Sequence, residues 1–233
     1  MAASTIAGSI HRPPPVPFSA DFCRHALYVA NRKGHFLWGT FWGYLRCAWW
    51  GVELGPGCRF HGRAYFRRYP ASRVDCGANC TFLSSPNANL IGINRPCLVS
   101  TMSPEAEIHI GSGCGFSGTV IAAFKQIILG ENVICGANTL ITDSNWHPED
   151  PRSGSPARVV IENNVWLGVN AIVLRGVQIG QNSVIGAGSV VTSDLPANVV
   201  AAGNPCTVIK PLRLASNEPT SPFAREGATS DPR

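Results

Sequence analysis

The sequence lacks any long apolar run, because Arg, Lys and Gly interrupt every candidate before it reaches the length of a bilayer-spanning helix. Charge is also scarce: Asp, Glu, Lys and Arg together make up only 14% of the chain. That is too little for a helical bundle, which draws heavily on Glu, Lys and Ala. The first twenty residues are rich in proline and have no apolar central stretch, so they do not read as a secretory signal, and the cytoplasm is the expected location. CxxC pairs are absent. The nine cysteines are odd in number, and Cys76 and Cys80, four apart, have no matching Cys or His pair downstream. No metal is therefore expected, and the cysteines read as free, reduced residues used as small apolar groups. The net charge of +5 suits anionic small molecules or a membrane surface and is too weak to argue for nucleic acid.

What the chain has in plenty is glycine (24) and proline (18). Together these predict a turn-rich all-β protein, and 233 residues supply the core of one large domain with appendages. An apolar residue returns at every sixth position from Ile161: Leu167, Val173, Ile179, Ile185, Val191. A helix would scatter these over unrelated faces. Three residues after each stand Asn164, Asn170, Gly176, Asn182, Gly188 and Asp194, all types that tolerate the left-handed backbone region. One place further on, from Val165 to Leu195, come mostly small or β-branched residues. Each hexad thus reads as a short strand with one residue pointing inward, followed by a corner, and a stack of such units is a β-solenoid.

The period continues upstream with slips. Leu129, Cys135 and Ile141 keep it, as do Ile110, Phe116 and Ala122; Ile91 with Cys97, Val74 with Cys80, and Leu54 with Phe60 hold it more weakly. Between Ile141 and Ile161 lies a polar, proline-rich stretch, Thr142 to Arg158, which predicts a loop protruding from a stiff scaffold, where chemistry usually sits. Residues 1–20 are expected to be disordered. Residues 21–50, rich in aromatics with Phe41, Leu45 and Trp49 at helical spacing, predict one or two short helices that cap the first rung. The solenoid is expected over 51–212 and a disordered tail over 213–233.

Four segments carry a resemblance: Asp143-Ser-Asn-Trp-His-Pro148, Val165-Trp-Leu-Gly168, Val184-Ile-Gly-Ala-Gly-Ser-Val-Val-Thr192 and Asn198-Val-Val-Ala-Ala-Gly-Asn-Pro205. With the hexads they resemble the hexapeptide-repeat acetyltransferases, in particular the sugar O-acetyltransferases of polysaccharide and of galactoside or maltose type. The likeness is good over about 74–212 and weak before it. The resemblance implies a left-handed parallel β-helix and a homotrimer with active sites between subunits. It also implies direct transfer from acetyl-CoA to the hydroxyl of a sugar or glycolipid acceptor.

On that resemblance His147 is the general base, since an imidazole suits removal of a hydroxyl proton near neutral pH. Asp143, Glu149 or a loop carbonyl could orient it, and Trp146 stands beside it. Ser117 matches a substrate-binding position, though a Ser at an ordinary corner reads equally well. Ala187, Thr192 and Ser193 match positions lining the pantetheine arm of acetyl-CoA; Gly168 and Val169 flank the cleft, the family often having Ser in place of Val169, and Trp166 could wall the cofactor channel. Lys210 keeps a charge for the nucleotide phosphates where Thr207 does not. Trp166 could instead cover the outer face of the solenoid.

The dense early arginines, Arg59, Arg63, Arg67, Arg68 and Arg73, could steer an anionic acceptor or form a solvated face. With the aromatics of 36–50 they also suggest peripheral membrane contact, against the alternative that those aromatics are buried on the first rung. Three other functions compete. A solenoid carbonic anhydrase needs three histidines on one zinc, and His61, His109 and His147 do not repeat such a pattern. A non-catalytic scaffold has no use for a base in the loop. An antibiotic-modifying acetyltransferase would differ only in its acceptor.

Overall fold

A computed structural model describes residues 18–147 and 149–212; the expectations of disorder for 1–17 and for 213–233 lie outside the described residues, while Phe18, Ser19 and Ala20, expected to be disordered, begin a helix. The hexads stack into six rungs, each contributing one short strand to each of three sheets. The first rung holds β1 (Glu53–Leu54), β2 (Arg59–His61) and β3 (Tyr65–Arg67), and the second β4 (Arg73–Cys76), β5 (Thr81–Leu83) and β6 (Leu98–Thr101). The third holds β7 (Glu107–Ile110), β8 (Gly115–Ser117) and β9 (Val120–Ala123), and the fourth β10 (Gln126–Leu129), β11 (Ile134–Cys135) and β12 (Leu140–Thr142). The fifth comprises β13 (Val159–Ile161), β14 (Trp166–Leu167) and β15 (Ile172–Val173), and the sixth β16 (Gln178–Ile179), β17 (Val184–Ile185) and β18 (Val190–Val191). Then β19 (Val199–Gly203) adds to the sheet of β17 and pairs antiparallel with β20 (Cys206–Pro211), closing that end. Every pairing between rungs is parallel, and the prism is the left-handed parallel β-helix that the resemblance implies.

The first sheet runs β1-β4-β7-β10-β13-β16, the second from β2 through β17 to β20, and the third β3-β6-β9-β12-β15-β18. Each sends one column inward. The first sheet stacks Leu54, Cys76, Ile110, Leu129, Ile161 and Ile179. The second begins with Phe60, Phe82 and Phe116, whose rings stack at 4.9 and 5.0 Å between centroids, and goes on through Cys135 to Leu167 and Ile185. The third holds Phe66, Val99, Ile121, Ile141, Val173 and Val191. All six inward residues of the 161–191 series are buried.

Several upstream positions depart from the expected period. Cys76, Phe82 and Val99 stand in the inward columns, each two residues after the expected Val74, Cys80 and Cys97, which are buried beside them. Ile121, not Ala122, aligns with Ile141, because the corner after Phe116 is one residue shorter. Ile91 is exposed at 63%, because the chain between β5 and β6 leaves the solenoid. At the corners, Asn132, Asn138, Asn164, Asn170 and Asn182 have φ near +60°, as do Gly113, Gly176 and Gly188 within a wider range. Asp194 is not among them: its carboxylate instead accepts the backbone N–H of Gln178 at 2.7 Å, and Asn198 takes the left-handed conformation four residues later.

The N-terminal segment forms a single helix, α1 (Phe18–Trp49), 32 residues long, in place of one or two short ones. Asp21 in its first turn and Arg46 in its last suit the helix dipole. Its C-terminal half lies on β2. A Cβ at Gly39 would stand 2.5 Å from the Phe60 carbonyl oxygen, and one at Gly43 would stand 2.4 Å from the Phe60 ring, so only glycine permits that approach. The helix also satisfies the exposed strand edge: the Phe60 N–H donates to Thr40 Oγ1 at 3.1 Å and the Cys58 N–H to the Tyr44 hydroxyl at 3.1 Å. Among the described residues no helix is long and apolar enough to cross a membrane.

Candidate active site

The longest break in the later rungs is the segment 143–158, which leaves the corner between the third and first sheets after β12 and returns as β13. Asp143 roots it. Its side chain is wholly buried, with Oδ1 accepting the Phe124 N–H and Oδ2 accepting those of Lys125 and Gln126, all at 2.7 Å. These are the amides of the corner one rung below, so the carboxylate caps a backbone turn that would otherwise go unpaired. The root is tightened by the Ala157 N–H donating to the Asp143 carbonyl at 2.9 Å. Asp143 thus supports the loop from beneath and makes no contact with His147; both of its oxygens are committed to the backbone.

Trp146 holds the loop from above. Its ring meets Phe124 edge-on at 5.5 Å, and its Nε1 donates to Thr142 Oγ1 at 3.2 Å. Its φ is +66°, a left-handed conformation that costs a bulky residue free energy, and the ring and indole contacts hold it there. The strained turn throws the next residue outward: the His147 side chain is 74% exposed, with Nδ1 3.4 Å from the Glu149 carboxylate. Of the candidate orienters, then, Glu149 is the one beside the ring. The Glu149 carboxyl is held below the usual carboxylate range by its own backbone N–H and, less strongly, by His147. Deeper in the loop Ser153 is buried; its Oγ has no partner among the described residues, while its carbonyl accepts from Asn145 Nδ2 at 2.5 Å.

The remaining predicted residues divide between two corners. Thr192 and Ser193 are exposed at the corner that carries the His147 loop. Ser117, Gly168, Val169 and Ala187 lie at the corner between the second and third sheets, so within one chain the third sheet separates the two groups. Gly168 serves rung stacking: a Cβ there would lie 2.6 Å from the Ala187 nitrogen. At Gly188, beside exposed Ala187, a Cβ would meet nothing within 4 Å, so the backbone of that corner is open to an arm laid along it. Trp166 stands on the outer face of the second sheet, 53% exposed, and Lys210 is exposed on β20.

The sequence reading missed the segment 84–97, which folds over the Ser117 corner. Asn89 Nδ2 donates to Ser117 Oγ at 3.3 Å, and Asn138 binds it through Gly92, Asn94 and Arg95. Ser117 is consequently buried. The signal was present: Leu83 and Cys97 are fourteen residues apart and enclose a Ser-Ser-Pro-Asn-Ala-Asn run, which breaks the hexad as clearly as 143–158 does.

The three solenoid histidines do not converge. His61 lies on β2 against Phe36, and His109 on β7 binds Asp75 through Nδ1 at 2.7 Å and Glu107 through Nε2 at 3.4 Å. The sulfurs of Cys58, Cys76 and Cys80 do come together, within 4.8 Å of one another in the core. Two of these thiols donate to the next rung's carbonyls, Cys58 to Gly77 and Cys80 to Gly111, both at 3.3 Å.

Comparison with known proteins bears on the same solenoid. The model of the hexapeptide repeat of succinyl-transferase matches residues 158–193. A galactoside O-acetyltransferase of Lactococcus lactis is 47% identical over 109 residues, 44% of this chain and 52% of that protein. One of Escherichia coli is 41% identical over 113 residues, 46% of this chain and 55% of its own length. The chain spans about half the length of these curated relatives. An N-acyltransferase from Bacillus cereus, solved with dTDP-4-amino-4,6-dideoxyglucose and coenzyme A, aligns over 74% of this chain and 89% of its own with a TM-score of 0.55. At 18% identity that likeness speaks for the fold alone. The repeat model and the fold thus agree on a hexapeptide-repeat solenoid, and over a little under half of its length the chain is similar to the two galactoside O-acetyltransferases.

Proposed function

We propose that the chain moves an acetyl group from acetyl-CoA to a hydroxyl of a sugar or polysaccharide precursor, by direct transfer with His147 as general base. One observation carries the reading: in a solenoid similar to galactoside O-acetyltransferases, an anchored loop holds an exposed imidazole clear of its corner. The imidazole takes the hydroxyl proton as the oxygen attacks the thioester carbonyl. The tetrahedral centre then collapses, the C–S bond breaks, and the imidazolium returns the proton to the leaving sulfur. Glu149 beside Nδ1 holds the ring with Nε2 as the base. Asp143 and Trp146 act through the loop rather than on the proton.

The two-corner arrangement favours a homotrimer. A cleft formed by the loop corner of one copy and the Ser117–Ala187 corner of the next would unite residues that a single chain keeps apart. The pantetheine arm would then lie along exposed Ala187 and open Gly188, with Thr192, Ser193 and Trp166 at its sides and Lys210 near the phosphates. Asn89, held at Ser117, joins the acceptor side of that cleft.

The test is thiol release from acetyl-CoA against a panel of sugars, with His147→Ala beside the native chain. Acceptor-dependent release that falls by about 10²–10⁴-fold in the variant supports the reading. Equal release by both proteins removes His147 as base, and a failure to bind acetyl-CoA at all removes the activity.

A further inference from the structure

Phe36 and Tyr44 lie against the first rung, on His61 and Phe60, but the other large aromatics of the C-terminal half of α1 are not buried on it. Gly39, Gly43 and Cys47 face the solenoid and are buried, with Thr40 half-buried among them. At about 3.6 residues per turn, Trp38, Phe41, Trp42, Leu45 and Trp49 fall on the opposite side of the helix. All five are exposed, Trp38 at 65% and Trp49 at 85%, and Leu27 extends the same face toward the N-terminus. The rings of Trp38, Phe41 and Trp42 pack against one another at 5.6 to 6.5 Å rather than against the protein. A contiguous apolar face of this kind marks an interaction surface.

Charge identifies the partner. Residues 18–74 carry nine Lys and Arg against two acids, Asp21 and Glu53, whereas residues 75–233 carry nine against twelve. The positive excess of the protein thus sits at the helix end of the solenoid. Lys33 is exposed on the helix, and Arg59, Arg63 and Arg67 are exposed on the adjoining first rung. Both acids there stand near arginines, Asp21 3.8 Å from Arg24 and Glu53 3.3 Å from Arg73. A further copy docked end-on against so basic a face would be repelled, while an anionic surface would be attracted. Tryptophan suits a polar–apolar boundary, with an apolar ring body and an N–H for the wet side. The helix is long and amphipathic but not apolar enough to span, which is the character of a helix lying in an interface.

We infer that α1 is a membrane-surface anchor: its Trp38–Trp49 face enters the headgroup layer of an anionic phospholipid leaflet, and the first-rung arginines bind the phosphates. The helix would hold the solenoid end-on to the bilayer. This inference does not depend on the acetyl-transfer reading.

The experiment is flotation of the full chain with vesicles of phosphatidylcholine alone and with about one third phosphatidylglycerol. Alongside runs a variant carrying Trp38→Ser, Trp42→Ser and Trp49→Ser, exposed positions that leave the glycine-packed face intact. The native chain is expected to float with anionic vesicles, less at raised salt, and hardly at all with neutral ones. The variant, with an unchanged unfolding midpoint, should partition roughly tenfold less or worse. Absence of the native chain from the anionic vesicles overturns the anchor, and so does equal partitioning of the variant. A native assembly in solution that is larger than the variant's, without vesicle binding, also overturns it, because the face is then covered by a second copy. Acetyl transfer to a water-soluble sugar is read separately on both proteins, so failure of one inference leaves the other standing.

Discussion

Replacing Asp143 separates a loop anchor from a catalytic partner. Its carboxylate receives three backbone N–H groups at 2.7 Å in a wholly buried position. Hydrogen bonds to a charged group contribute about 1.5–3 kcal/mol each. Lys125 is exposed, so water can partly replace its share. Asp143→Ala should therefore cost about 3–5 kcal/mol, equivalent to roughly 10 °C in the unfolding midpoint for a domain of this size. Asp143→Asn keeps the shape but turns an NH₂ against at least one backbone donor, and should cost about 2 kcal/mol. The assay is thermal and denaturant unfolding at fixed protein concentration, paired with the pH dependence of the acetyl-transfer rate. Because Asp143 does not touch the imidazole, the residual rate of either variant should keep the native pH profile. Variants within about 0.5 kcal/mol of native would refute the anchoring argument. A displaced inflection in the profile would refute its indirectness.

Further outcomes follow from other contacts. Gly43→Ala places a methyl 2.4 Å from the fully buried Phe60 ring and should destabilise by about 1–3 kcal/mol, loosening α1 first, as limited proteolysis within 18–49 would report. Trp146→Gly removes the left-handed strain but also the Phe124 contact, so the loop should lose order and kcat should fall while the solenoid keeps its unfolding midpoint, as paired kinetics and calorimetry would show. Of the nine thiols only Cys23 is exposed, so a thiol reagent should titrate one in the native protein and nine after denaturation. Burial pushes Cys47 and Cys135 from 9.0 up to about 12. The unfolded chain therefore releases their protons first; their contribution is complete below pH 9 and is lost as pH rises toward 12, by up to ~1.4 kcal/mol per pH unit per thiol, which alkaline unfolding curves can check.

The inward columns from Ile161 to Val191 and the left-handed corners from Asn164 to Gly188 were legible in the sequence because a solenoid repeats one local solution. Each hexad states its own inward residue and its own corner, and the next rung only has to agree. Reading failed where the local rule was suspended. The short corner before Ile121 slips the period by one, and the excursion 84–97 carries Ile91 into solvent; in both places the spacing alone does not say which residue resumes the register. The His147 loop was visible as a polar interruption, but the motif around it could not say whether Asp143 served the imidazole or the backbone.

Sequence by itself therefore determined the solenoid, its inward residues from Ile161 to Val191 and the departure of the His147 loop, since those depend on residues near one another in the chain. The tertiary structure alone decided three things. It set Asp143 against amides seventeen to nineteen residues earlier. It parted the predicted site between two corners. It turned Trp38, Phe41, Trp42, Leu45 and Trp49 outward, because Gly39 and Gly43 gave the opposite face of α1 to Phe60. Each of these depends on which distant rung comes to lie beside a residue, and a hexad period is silent about that.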